Sequence, residues 1–118
     1  DFISLHAPLT PDTRNLINAD AFRRMKPSAV VINSARGGLV NEADLNAALE
    51  RGTIAGALLD VLEQEPPPKD HPLFRHDNCI ITPHIAGLTE ASQQRTSRMV
   101  SVEVARELEG RPSLCRVR

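Results

Sequence analysis

Short apolar runs alternate along this chain with segments whose hydrophobic residues recur every three or four positions. That alternation predicts βα repetition and a parallel sheet. The first run, Phe2 to Ala7, predicts a strand that Pro8 and the turn-rich segment through Thr13 bring to an end. Asn18 can cap a short helix presenting Ala21, Phe22 and Met25 at helical spacing, and Lys26-Pro27 stops it, since proline disfavours helical geometry in the residue before it. Ala29 to Asn33 is continuous and β-branched, as suits a strand buried on both faces.

Gly37-Gly38 then turns the chain, and Asn41 with Asp44 resembles a capping box for the next helix. Leu45, Ala48 and Leu49 form its apolar stripe, and Gly52 stands where a terminating glycine belongs. Ile54 to Val61 is the third predicted strand; its Ala55, Gly56 and Ala57 are small enough for a helix or ligand to approach. Pro66-Pro67-Pro68 forces an extended crossing, and Cys79 to Thr82 is a fourth, short strand. Thr89 can cap a last helix of roughly 20 residues, about 30 Å at 1.5 Å per residue, which Gly110 and Pro112 end. Its second half carries Met99, Val100, Val102, Val104, Ala105 and Leu108. The tail after Pro112 reads as unanchored.

Composition changes this picture little. The chain has 118 residues, 41% hydrophobic and 25% charged, with a formal net charge of -1. That is one globular unit with no electrostatic footprint for nucleic acid or an anionic membrane. No apolar stretch approaches the roughly 20 residues that span a bilayer. Cys79 and Cys115 are too few for a disulfide scaffold and lack metal-ligand spacing, so no metal is expected and a reducing cytoplasm is the default setting. The chain opens at Asp1 directly on a strand-like run, which makes a fragment of a longer protein the expectation.

The polar residues that follow each strand collect the chemistry. His6 and Thr10 follow the first, Ser34 and Arg36 the second, Asp60 and Glu65 the third, and His84 the fourth. In an open parallel sheet, ligands bind at the carboxyl ends of the strands, so these residues share one edge. Reduction of a 2-keto acid suits them. Negative charge building on a carbonyl oxygen calls for a proton donor such as histidine. A carboxylate beside the imidazole favours its charged form, and a substrate carboxylate wants the two-pronged donor that arginine supplies. Taken singly, each residue also has an ordinary reading. His84 can serve as a capping or core histidine, Arg36 and Glu65 as surface charges, and Asp60 as a turn cap. His6 can serve strand packing or cofactor contact. His71 and His76 fall in a polar loop and read as solvated.

Three ordered motifs shift that balance: Ile32-Asn33-Ser34-Ala35-Arg36-Gly37-Gly38, Asp60-Val61-Leu62-Glu63-Gln64-Glu65-Pro66 and Thr82-Pro83-His84-Ile85-Ala86-Gly87. Together with Leu5-His6-Ala7-Pro8-Leu9-Thr10-Pro11-Asp12-Thr13, they resemble the D-isomer-specific 2-hydroxyacid dehydrogenases, from residue 1 to about Gly110. The resemblance implies an α/β fold: a partial Rossmann-like parallel sheet of about four strands with flanking helices and a long C-terminal helix. Residues 1–118 would be the second half of the dinucleotide-binding domain, with 89–110 the helix that crosses back to the substrate domain. It also implies Arg36 as substrate-binding arginine, Glu65 as partner carboxylate and His84 as acid/base. Ala7, Pro8, Ser34, Ala35, Arg36, Asp60, His84 and Gly87 match cofactor-contacting positions, Asp60 at the nicotinamide carboxamide. Leu62 stands where an aromatic residue is commoner.

The implied cofactor is NAD or NADP, with NAD favoured, and the implied substrate a small 2-hydroxy or 2-keto acid. A homodimer is implied for the full-length parent. No Gly-x-Gly-x-x-Gly occurs in the sequence; in the family that loop and the ribose-reading acid precede this segment. The first strand would then sit at an exposed apolar edge, and the chain alone is expected not to turn over a keto acid. Two other readings stay open: an NAD(H)-binding corepressor-like assembly module of the same fold, and a truncated chain with neither property.

Overall fold

The computed structural model describes residues 1–115. Two compact units divide the chain, Asp1–Ile85 and the segment from Ala86 onward. In the first unit, strands β1 (Phe2–Leu5), β2 (Val30–Asn33), β3 (Gly56–Leu59) and β4 (Cys79–Ile81) pair in sequence order. All three pairings are parallel. Helix α1 (Ala19–Arg23) lies between β1 and β2, α2 (Glu42–Glu50) between β2 and β3, and a 3-10 turn at Pro72–Arg75 precedes β4.

The ladders end before the apolar pattern does. Ile54 and Val61, expected within β3, lie outside its four-residue ladder yet remain buried. One face of the sheet, with Leu5, Val31, Ala57 and Leu59, joins Phe22 of α1, Leu45 and Leu49 of α2 and Leu73 in a single core. Both helices start as the pattern predicted. Asn18 Oδ1 accepts from the Asp20 and Ala21 amides, and Asn41 Oδ1 from Asp44 N at 3.0 Å.

The register places Leu5, Asn33, Leu59 and Ile81 in one row. The residues that follow them therefore leave the sheet along a common edge; one glycine tightens the loops there and another the opposite end of the sheet. A Cβ on Gly37 would lie 1.9 Å from the Leu62 carbonyl oxygen, so the β2 and β3 loops touch only because that side chain is missing. A Cβ on Gly56 would lie 2.7 Å from Asn78 O. The small residues of β3 thus admit the backbone entering β4, whereas a helix or ligand was the expectation.

Three further expectations are corrected. His71 is buried, held between Glu42 Oε2 (3.1 Å) and Leu73 N (3.3 Å), and His76 Nε2 meets Asn46 Oδ1 at 2.9 Å. His71 is out of solvent and His76 only half-exposed, because the loop that carries them folds back on α2. The tail past Pro112 is anchored through residue 115. Arg106 donates to Pro112 O at 2.7 Å, and Glu103 accepts from the Ser113 hydroxyl and from Leu114 N. Those contacts belong to the second unit, whose helix α3 (Glu90–Leu108) buries no residue; Met99, Val100, Val102, Val104 and Leu108 are all exposed. No helix among the described residues is long and apolar enough to cross a membrane. Cys79 is half-buried in β4, and burial pushes its thiol up to about 11.

Gly37→Ala is expected to destabilise the chain by about 1–3 kcal/mol, the usual range for overpacking. Urea unfolding measures this, and an unchanged midpoint would show that the loops can part freely.

Candidate active site

Each loop on this edge is shaped by a polar side chain at or near the end of its strand. Asn33, almost fully buried, donates from Nδ2 to Arg36 O (2.9 Å) and accepts at Oδ1 from Ala35 N (3.1 Å). This closes the Ser34–Arg36 turn and leaves the Arg36 side chain exposed, with Nη1 donating to Ala35 O at 2.7 Å. Further back, Thr13 Oγ1 donates to Pro8 O at 2.7 Å and folds the segment after β1.

Glu65 uses both carboxylate oxygens. Oε1 accepts Leu62 N at 2.9 Å, folding its own loop, and Oε2 meets His84 Nδ1 at 2.8 Å. The pair is half-open, with side-chain exposures of 51% for His84 and 37% for Glu65. The His84 contact is the main cause holding Glu65 below the usual carboxylate range, with the Leu62 amide second. Partial burial and the Asp60 charge oppose them.

His84 itself has φ 55°, in the left-handed region that non-glycine residues rarely enter. Asp60 braces that turn from both sides, as Oδ1 accepts the Thr82 hydroxyl and Ile85 N, the latter at 2.9 Å. Thr82 N donates to Leu59 O at 2.9 Å, which continues the β3–β4 ladder one step. The strained backbone that carries the imidazole is therefore set by the strand ends, and strain of this kind clusters at functional positions.

The structure brings Arg36, Glu65 and His84 around one cavity of about 230 Å³, with Gly37 and Leu62 in its wall. A neighbouring cavity of about 600 Å³ is lined by His6, Ala7, Pro8, Ser34, Ala35 and Arg36. Arg36 borders both. His6 is exposed, with Nε2 2.8 Å from Ser4 Oγ. Asp60 is buried at the foot of the His84 turn. Gly87 lies in the second unit, where a Cβ would meet nothing within 4 Å. Sequence reasoning missed Asn33, Thr82 and Glu42, whose parts depend on which strand ends are neighbours. Only the position of Thr82, one step past β4, hinted at a partner on β3.

Residues 1–86 match the D-isomer specific 2-hydroxyacid dehydrogenase, NAD binding domain. The chain belongs to that family. A glyoxylate reductase of Thermofilum pendens is 46% identical over 110 residues, 93% of this chain and 32% of that protein. A glycerate dehydrogenase of Methylorubrum extorquens is 46% identical over 114 residues, 95% of this chain and 36% of that one. Among solved structures, a D-lactate dehydrogenase with NAD+ from Lactobacillus jensenii superposes with a TM-score of 0.90 at 35% identity. It is matched over 100% of this chain and 39% of its own. A family member from Xanthobacter autotrophicus in complex with NADPH and MES gives 0.87 at 39% identity, covering 99% of this chain and 48% of that one. The chain thus spans about a third of the length of these two curated relatives. The Rossmann-like parallel sheet expected of this hydroxyacid dehydrogenase family is the one observed.

The Glu65–His84 contact carries a pH signature. A carboxyl with a lowered folded pKa adds stability above its unfolded value, about 4.3, and loses it as pH falls through the folded value. In His84→Ala, the Glu65 titration followed by carboxyl ¹³C NMR should move up toward the ordinary range. The stability gap to wild type should then narrow as pH drops below about 4. A Glu65 titration that stays where it was would count against the pair.

Proposed function

We propose that this chain is the second half of the NAD-binding domain of an NAD(P)-dependent D-2-hydroxyacid dehydrogenase that reduces 2-keto acids. The 2.8 Å contact between His84 Nδ1 and Glu65 Oε2, on a cavity shared with Arg36, carries the reading. With Nδ1 engaged, Nε2 is the ring atom that presents a proton. Glu65 fixes the ring's orientation, so His84 can donate as negative charge develops on a carbonyl oxygen. Arg36 supplies parallel N–H donors for the substrate carboxylate. The turn that Asn33 closes, which leaves the Arg36 side chain exposed, supports this role.

The larger cavity suits the nicotinamide end of a dinucleotide. Ala7, Pro8 and Ala35 give it short apolar walls, while the Ser34 hydroxyl and Asp60 at the next strand end are polar anchors. Ala7, Pro8, Ser34, Ala35 and Arg36 are assigned to hold it, with Asp60 at the carboxamide and His84 beside the ring. When bound, the cofactor supplies the hydride. NAD is favoured over NADP. The relatives' names support small 2-hydroxy and 2-keto acids as substrates. Residues 89–110 would cross back to the substrate domain of the full-length protein. That protein is read as a cytoplasmic homodimer, consistent with two free cysteines.

Assays of the full-length protein with glyoxylate and hydroxypyruvate, using NADH and NADPH, test this directly. His84→Asn should cut turnover by about 10²- to 10⁴-fold, the usual contribution of general acid catalysis. Arg36→Lys should chiefly raise KM for the keto acid. Unchanged turnover in His84→Asn would refute the acid role, and an inactive wild-type protein would refute the reading as a whole.

A further inference from the structure

Glu42 is the first residue of α2, directly after its cap Asn41. The positive end of a helix dipole favours an acid there, but a dipole alone leaves the carboxylate in solvent. Here the side chain is only 18% exposed and reaches two other segments. Oε1 accepts Glu63 N at 2.6 Å, and Oε2 accepts from His71 Nε2 at 3.1 Å. Leu73 N donates to His71 Nδ1 at 3.3 Å. That nitrogen is therefore an acceptor, and the ring proton stays on Nε2, facing Glu42. With an oxygen on each partner, the carboxylate is held in one orientation.

The amide captured by Glu42 and the carbonyl lodged against Gly37 belong to the same peptide unit, Leu62–Glu63. Its plane sets ψ of Leu62 and φ of Glu63, and so the direction in which the chain runs on to Glu65. From there the Glu65 carboxylate turns back to accept Leu62 N and meet His84. Arg14 adds an exposed tether, its Nη1 lying 2.8 Å from Glu63 Oε1.

We propose that Glu42, its carboxylate oriented by His71, is a positioning residue for Glu65 and acts by fixing the Leu62–Glu63 peptide plane. The inference rests on the Glu65–His84 reading given above. It concerns a residue some twenty positions away that touches neither partner of that pair.

The test is carboxyl ¹³C NMR titration of Glu65 in the 118-residue chain, with His84 and Asp60 as the titratable groups that face it. Glu42→Ala removes the acceptor, and Glu42→Asp withdraws it by one methylene while keeping the charge at the helix end. Both should move the Glu65 titration up toward the ordinary glutamate range. Glu42→Gln keeps the length but offers one oxygen to two donors, Glu63 N–H and His71 Nε2–H, so it should also raise the titration, by no more than Glu42→Ala. Should Glu42→Ala not fold, the Asp and Gln variants carry the comparison. A Glu65 titration unmoved by Glu42→Ala or Glu42→Asp but raised by His84→Ala would overturn the role of Glu42 alone. One unmoved by His84→Ala as well would overturn the pair and the brace together. A fall in the Glu65 titration in Glu42→Ala and Glu42→Gln, with no change in Glu42→Asp, would assign the effect to charge and overturn the peptide-plane mechanism.

Discussion

The carbonyl of Leu62 occupies the volume that any side chain at position 37 would need. Through this contact the loop after β2, which carries Arg36, lies against the loop after β3, which carries Glu65. Both line the cavity that His84 borders. Parallel strands alone would put the three groups on one edge without saying how near they come. Nearness is set by backbone lying on backbone, and that contact requires a hydrogen atom where other residues have a carbon.

Carboxylates hold the rest of the edge in shape, chiefly by accepting backbone N–H groups. Glu65 takes Leu62 N, Glu42 takes Glu63 N, Asp60 takes Ile85 N, and Asp44 takes Ala19 N at 2.9 Å to tie α1 to α2. Bonds to an ionised acceptor are roughly twice as strong as neutral ones. They fix turns in chain that is neither helix nor strand. His84 shows why this matters. Its left-handed conformation would relax in an untethered loop, and Asp60 tethers it at the residues on either side. The turn is thus held by the chain's own groups.

Much of this was legible in the residues. Both helix caps, the sequence of four strands, and the placement of Arg36, Glu65 and His84 along one edge follow from periodicity and turn chemistry, which are local properties. What escaped is tertiary. His71 sits among charged residues and prolines that suggest solvent, and only the fold of its loop onto α2 buries it. Gly37 looked like half of a turn, because the atom that excludes a side chain there comes from a residue twenty-five positions further on. Thr82 and Asp60 become partners only once β3 and β4 are known to be neighbours in register. Glu103 gathers a tail that nothing in its own composition would anchor.

Cys79 gives the chain an uneven chemistry toward electrophiles. With its thiol pushed up to about 11 by burial beside the core, only about one molecule in ten thousand carries the reactive thiolate at neutral pH. Alkylating reagents and mild oxidants will therefore find the exposed Cys115 first. A fluorophore or spin label added at neutral pH would report on the second unit while the sheet beneath the site stays unmodified.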